Sequence, residues 1–399
     1  MDIFSVISLL GGLALFLYGM HIMSEGLEKL AGGKIEGILS KLTSNRFKGL
    51  VLGAVITAVI QSSSAMTVML VGLVNSGIMH LTQAVSITMG SNIGTTITAW
   101  LLSLTGIEGD NIFIKLLKPS SFSPIVAFIG ILLIMMAKKQ SKKDAGIICI
   151  GFAVLMYGMD FVSGAVEPLR DVPEFASILT AFSNPILGVI AGALFTAIIQ
   201  SSSASVGVLQ ALSMTGKITY SSAIPIIMGQ NIGTCITALI ASIGANRNAR
   251  RVAVVHVLFN TIGTVILLTI WSIVNGIVNF AFADTAVTPV NIAIIHSIFN
   301  VVTTILLFPF ANLLEKGARF IIKDKAKEDS VKFEFLDERL LTVPSVAVGK
   351  AFETTKKIYA LEGAEENCKL VETPKGHWWC VDIMWPTIKE EMKRLGWIK

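Results

Sequence analysis

The polar run Gln61, Ser62, Ser63, Ser64, Ala65 returns as Gln200, Ser201, Ser202, Ser203, Ala204, displaced by 139 residues (from 61 to 200) within an otherwise apolar chain. The same displacement, without a gap, carries Gly53 onto Gly192, Thr57 onto Thr196 and Gly77 onto Gly216. It carries Gly90, Asn92, Ile93, Gly94 and Thr95 onto Gly229, Asn231, Ile232, Gly233 and Thr234, and Gly12, Tyr18, Gly19 and Met20 onto Gly151, Tyr157, Gly158 and Met159. A chain built by duplication folds as two related halves, so the topology of one constrains the other.

Of 399 residues, 53% are hydrophobic and only 15% charged, with mean hydropathy +0.72; soluble domains carry about a quarter charged residues. The composition is that of a polytopic helical membrane protein embedded in a lipid bilayer. The net charge of +5 is small and its basic residues gather in short loops, which marks topology and excludes a nucleic-acid surface. Cys149, Cys235, Cys368 and Cys380 show neither metal-ligand spacing nor a disulfide framework. The N-terminus lacks a basic leader and runs directly into the first repeat, as a retained span would.

Apolar windows near 3–23, 81–104, 122–137, 145–163, 252–273 and 289–311 are long enough to span. The segments 48–75, 187–213 and 221–243 need a topological argument. Lys138, Lys139, Lys142 and Lys143 lie between two spans, Arg247, Arg250 and Arg251 between two more, and Lys316, Arg319, Lys323 and Lys325 after the last. The positive-inside rule places all three clusters on the cytoplasmic side. From Lys143 the span 145–163 leads out, and the chain is inside again by Arg247. One crossing by 187–213 and another by 221–243 would leave residue 247 outside. The conflict vanishes if 187–213 is a re-entrant hairpin with Gln200 to Ser203 at its tip. Applied to the first repeat, the same rule puts loop 24–47, with Lys29, Lys34, Lys41 and Arg46, inside. Loop 164–186, where Arg170 sits beside Glu167, Asp171 and Glu174, falls outside. The expected fold is therefore all-α, with two inverted repeats, each carrying a re-entrant QSSS hairpin followed by a helix broken at Gly90–Thr96 or Gly229–Cys235. That is the architecture of secondary transporters.

Hydroxyls and amides inside apolar helices are costly unless they pair or bind something. Small polar residues also glue membrane helices together, but two gap-free tetrads in inverted repeats favour a binding role. The candidate substrate and ion ligands are Gln61, Ser62, Ser63, Ser64, Gln200, Ser201, Ser202 and Ser203, with Asn92, Thr95, Asn231 and Thr234 as neighbours. No Lys, Arg, Asp or Glu lies in either tip or either GxNIGT stretch. An oxyanion there meets helix dipoles and hydroxyls but no fixed positive charge, so a co-bound cation has to supply it. With no carboxylate to carry a proton, that cation is expected to be a metal ion such as sodium. His256 and His296 share an HxxFN context, read as interhelical hydrogen bonding in preference to a proton relay. His21 and Asp160 are equivalent and interfacial, Asp160 being a weaker cation-ligand candidate; Tyr18, Gly19, Tyr157 and Gly158 read as close-packing positions. No nucleophile, base and orienting group stand together, which argues against an enzyme.

At the paired QSSSA and GxNIGT motifs the chain resembles the sodium/phosphate cotransporter family, which includes the animal type II transporters and bacterial relatives. The resemblance covers residues 1–323. It implies sodium-coupled transport of inorganic phosphate, no cofactor beyond the coupling ion, and a multi-pass place in the bacterial inner membrane with a cytoplasmic C-terminus. Rival readings are a carrier of another oxyanion, a channel, and a phosphate-binding sensor subunit. Residues 335–355 are similar to the beginning of a PhoU-like cytoplasmic helical domain, and the likeness stops before the Trp-rich end. The expected division is repeat one over 1–140, repeat two over 141–275, a further span and exit over 276–323, and a cytoplasmic tail over 324–399. Oligomeric state is not legible.

Overall fold

The computed structural model describes residues 3–31, 45–107, 111, 118–172, 174–175, 182–323, 370–372 and 378–380. By internal contacts the chain divides into two units, Met1–Asp329 and Ser330–Lys399. The larger is helical: α1 (Ile3–Ala31), α2 (Arg46–Ile60), α3 (Ser63–Asn75), α4 (Leu81–Ser103), α5 (Pro119–Met136), α6 (Gln140–Val166), α7 (Pro185–Ile199) and α8 (Ser202–Ser213). There follow α9 (Tyr220–Gly233), α10 (Cys235–Ala241), α11 (Arg247–Val278), α12 (Pro289–Leu307) and α13 (Ala311–Ile321). In the smaller unit the described residues form one antiparallel pair, β1 (Leu370–Glu372) and β2 (Trp378–Cys380), with Val371 opposite Trp379. The expected PhoU-like start, and Lys34 and Lys41 of the first loop, lie outside the described residues.

The duplication is visible helix by helix. Shifted by 139 residues, α2 begins and ends where α7 does, α3 begins where α8 does, and α4 covers α9 plus α10. Asn45 and Asn184 cap α2 and α7 alike, their side chains accepting from Phe47 N–H at 2.9 Å and Ile186 N–H at 3.0 Å. Pairing follows the same plan: α1 packs on α6, α2 on α4, and α7 on α9.

Five helical stretches are long and apolar enough to cross a membrane by length and composition: Ile3–Ala31, Gln140–Asp171, Tyr220–Ala241, Arg247–Val278 and Pro289–Ile321. Large apolar side chains point outward along them and along the shorter helices, with Ile198 and Ile277 each 79% exposed. A bilayer is the solvent that such a surface fits. Inside, Phe16, Met20, Leu155, Met156 and Leu102 join α1, α6 and α4 in one core cluster. Gly19 and Gly158 let the α1 and α6 backbones meet: a Cβ on either would stand 2.2 Å from the amide nitrogen of Leu155 or Phe16. Tyr18 and Tyr157, expected to pack with them, are exposed.

The broken helices are not there. α4 runs without interruption through Gly90–Thr96, and in the second half only Thr234 interrupts, itself in right-handed helical conformation between α9 and α10. The glycines serve approach, not unwinding. A Cβ on Gly90 would lie 1.9 Å from Leu50 O, one on Gly229 2.1 Å from Val189 O, and ones on Gly53 and Gly192 2.1 Å from the carbonyl oxygens of Ile87 and Ile226. Glycine is needed wherever two helix backbones come this close.

The last helix is pinned by polar contacts. Arg251, almost fully buried at the start of α11, donates to Ile322 O from Nε at 3.0 Å and from Nη2 at 2.7 Å, and to Asn248 Oδ1 at 2.8 Å. Thr82 Oγ1 donates to Glu315 Oε2 at 2.9 Å, and Arg46 bonds Asn312.

Candidate substrate and ion site

Each QSSS segment is a two-residue break between helices. α2 stops at Ile60 because Gln61 turns left-handed, φ 56°, with its N–H donating to Thr57 O at 2.8 Å. Ser62 then caps α3, its Oγ accepting from Ala65 N–H at 3.1 Å. In the second half Gln200 adopts φ 59°, its N–H donates to Thr196 O at 2.7 Å, and Ser201 Oγ accepts from Ala204 N–H at 3.2 Å. Left-handed backbone costs a residue with a side chain roughly 1–2 kcal/mol, so its recurrence at both glutamines marks the break as built. Beyond each cap the N–H groups of the first helical turn, from Ser63 and Ser64 or Ser202 and Ser203, have no intrahelical acceptor. Ser63, Ser202 and Ser203 are buried, Gln61 is half-buried and Gln200 is exposed.

The GxNIGT stretches press against these breaks. A Cβ on Gly94 would sit 2.7 Å from Thr57 Cβ, and one on Gly233 2.7 Å from Thr196 Cβ. Thr95 and Thr234 turn their hydroxyls back along the helix, donating to Ser91 O and Gln230 O at 2.9 Å. Asn92 Oδ1 lies 3.2 Å from His256 Nε2 on α11, and Asn231 Oδ1 lies 3.4 Å from His296 Nε2 on α12. An amide oxygen only accepts, so each imidazole donates from Nε2 and keeps Nδ1 as an acceptor. Both Nδ1 atoms are buried without a partner. Asn260 and Asn300, one turn on, donate to the carbonyls of His256 at 3.0 Å and His296 at 2.9 Å. The expected interhelical role of the HxxFN residues is thus met, and its targets are the two motif asparagines.

The halves differ in their wiring. Thr196 Oγ1 donates to Ser205 Oγ at 2.7 Å, and Gln230 Nε2 donates to Ser205 O at 3.0 Å. The corresponding first-half positions hold Thr57, Met66 and Ser91. There Thr57 Oγ1 and Gln61 Oε1 are buried and unpartnered, as is Asn92 Nδ2, whereas Asn231 Nδ2 donates to Ile227 O at 2.8 Å. Thr57, Thr196, Ser205 and Gln230 thereby stand beside the candidate residues, although none of them is singled out as a candidate ligand by sequence alone.

Among the described residues, no hydrogen bond links the first tetrad to the second. α4 packs against both α3 and α8, and α10 packs against α3, which puts both breaks on one bundle. Asp160 and His21 are exposed on α6 and α1. No cluster of three His, Cys, Asp or Glu side chains occurs among the described residues.

Polar, charge-free helix breaks thus lie inside a bundle clothed in apolar side chains, which defines a helical membrane protein. The chain belongs to the Na+/Pi-cotransporter family, whose pattern matches residues 15–164 and 170–300. It is 27% identical over 370 residues to the Salmonella typhimurium protein named "Putative inorganic phosphate export protein YjbB", across 92% of this chain and 65% of that one. It is 30% identical over 272 residues to the Bacillus subtilis protein YqeW, which is uncharacterized, across 68% of this chain and 84% of that one. Over 175 residues it is 28% identical to the rat sodium-dependent phosphate transport protein 2A, across 43% of this chain and 26% of the rat protein. The chain therefore spans just under two thirds of the Salmonella relative's length. No solved structure matches it. The family, and the relatives whose names state an activity, are described by phosphate transport and not by an enzymatic reaction.

Proposed function

We propose that the protein is a sodium-coupled carrier of inorganic phosphate working by alternating access, with the two QSSS breaks as its substrate and ion site. The observation that carries this reading is the pair of left-handed glutamines, Gln61 and Gln200, each opening a helix break with free N–H groups and no ionised side chain. Helix N-termini of α3 and α8, with the hydroxyls of Ser62 to Ser64 and Ser201 to Ser203, suit an oxyanion. Carbonyl and hydroxyl oxygens at the breaks suit a hard cation. Gln61 Oε1 and Thr57 Oγ1 are the best-placed oxygens on the first side, because both are buried with no partner of their own. Asn92 and Asn231 complete the site from α4 and α9, held by His256 and His296.

In this reading each break is the tip of a re-entrant hairpin, and the repeats are inverted across the membrane. The positive-inside rule supports that arrangement and puts Lys138–Lys143, Arg247–Arg251 and the exit after α13 on the cytoplasmic side of a bacterial inner membrane. Neutralisation is what couples the solutes: phosphate without sodium would bring uncompensated charge into an apolar bundle. Phosphate export in one relative's name and sodium dependence in another's are compatible, since a coupled carrier runs in whichever direction the summed gradients dictate.

Radiolabelled phosphate uptake into proteoliposomes holding the purified full chain tests this. Saturable uptake that needs a sodium gradient and resists sulfate competition is expected. Equal uptake with potassium replacing sodium would overturn the coupling, sulfate competition would make the protein a broader oxyanion carrier, and phosphate binding without flux would make it a sensor.

A further inference from the structure

The α5–α6 hairpin turns over three residues, Ala137, Lys138 and Lys139, and four lysines, 138, 139, 142 and 143, fall within six positions there. Among the described residues none of the four has an ion pair or a side-chain hydrogen bond. The neighbouring carboxylate, Asp144, is buried and accepts from Gln140 Nε2 at 2.9 Å. Loop lysines satisfy the positive-inside rule by charge alone, but these sit at the mouth of a groove. It has a volume of about 660 Å³, walled by Ile129, Leu132 and Met136 and rimmed by Lys138, Lys139 and Lys142. Deeper in the pair, Gly130 and Gly146 bring the two backbones together, a Cβ on either standing 2.9 or 2.7 Å from the other's carbonyl oxygen. Met135 and Met136, about three quarters exposed, carry the apolar wall out toward hydrocarbon. The four cations also crowd the positive end of the α6 dipole, so they repel one another and the helix unless an anion stands among them.

We infer that this groove binds an anionic phospholipid, its phosphate held among Lys138, Lys139 and Lys142 and one acyl chain laid along Ile129, Leu132 and Met136. Charge complementarity selects an anion. The apolar wall selects one that carries a hydrocarbon chain, because an inorganic ion would leave most of the groove facing lipid with nothing to fill it. Basic pockets between membrane helices hold anionic headgroups in this way, and lysine stems cover apolar surface while their ammonium groups reach the headgroup layer. The site is separate from the QSSS breaks and does not depend on the transport reading.

Native mass spectrometry of the purified full chain, titrated with phosphatidylglycerol or phosphatidylcholine of identical chains, reads the site directly. Wild type should retain phosphatidylglycerol over phosphatidylcholine by at least about tenfold. A variant with Lys138, Lys139 and Lys142 all changed to Gln should lose that preference, the triple Lys→Arg variant should keep it, and Leu132→Trp should weaken both lipids. Equal retention of the two lipids by wild type, or an undiminished preference in the triple Gln variant eluting as folded protein, would overturn the inference. Displacement of phosphatidylglycerol by inorganic phosphate would also overturn it, by showing a free-ion site.

Discussion

The two halves repeat one backbone and wire it differently. Both breaks share the left-handed glutamine, the serine cap and the glycine-mediated clasp of α2 on α4 or of α7 on α9. In the second half Thr196 Oγ1 donates to Ser205 Oγ and Gln230 Nε2 to Ser205 O, with Gln230 Oε1 left as a buried, unpartnered oxygen. In the first half Met66 and Ser91 replace two members of that network, and oxygens of Thr57 and Gln61 stay buried and unpaired. An unpaired buried acceptor costs about 1–3 kcal/mol, so a site that retains two of them is poised for a ligand that supplies the missing contact. The difference teaches that the duplicated scaffold builds two breaks, while divergence assigns them different work. On the proposed reading, the first-half break offers a cation two uncommitted oxygens, those of Thr57 and Gln61, whereas in the second half the Thr196 hydroxyl is already bonded to Ser205.

The largest effects should come from what the halves share. Gly90→Leu or Gly229→Leu drives a side chain into a facing carbonyl, a change expected to exceed about 4 kcal/mol and to abolish folded, monodisperse protein in size-exclusion chromatography. If both variants fold, the clasp account is wrong. Next come the tetrads: alanine at Ser62, Ser63 and Ser64, or at Ser201, Ser202 and Ser203, should cut phosphate uptake by more than about a hundredfold while membrane insertion stays normal. Unchanged uptake in either triple variant removes that break from the site.

Smaller substitutions sharpen the asymmetry. His256→Leu leaves Asn92 Oδ1 without its donor and should cost about 1–3 kcal/mol in thermal stability, with a raised phosphate KM. His256→Gln, which keeps one N–H within reach, should recover much of both. The smallest and most diagnostic pair is Thr57→Val against Thr196→Val. The second breaks the bond to Ser205 and should lose about 1 kcal/mol, whereas the first removes a buried hydroxyl that bonds nothing and should leave stability unchanged or raise it by up to about 1–3 kcal/mol. Only the first should raise the sodium concentration needed for half-maximal uptake. Equal shifts in sodium dependence would dissolve the proposed division of labour.

Much of this is legible in the chain alone. The breaks at Gln61 and Gln200 are visible because four polar residues interrupt an apolar run twice at one spacing. Of the six apolar windows, 3–23, 145–163, 252–273 and 289–311 fall in helices long and apolar enough to span, whereas 122–137 lies in a shorter helix. The GxNIGT stretches are misread because a glycine that loosens a helix and a glycine that admits a neighbouring backbone look alike in one dimension; the difference lies in Leu50 and Val189, some forty residues upstream. α4 is less apolar than the five spanning stretches because it carries Thr88, Ser91, Asn92, Thr95 and Thr98, which the fold turns inward and buries. The His256–Asn92 contact joins residues 164 apart, beyond any local pattern. A signal for the asymmetry was present all the same: Met66 against Ser205 and Ser91 against Gln230 are mismatches inside the best-aligned parts of the duplication.

The most direct test of the central claim, that the two breaks line one alternating path, is side-specific labelling of single cysteines at Ser62 and Ser201 in a chain freed of Cys149, Cys235, Cys368 and Cys380. In oriented membranes each cysteine should react from one face in sodium alone and exchange that accessibility when sodium and phosphate are both present. Equal reaction from both faces under every condition would contradict the account, and so would a cysteine at either position that no solute protects.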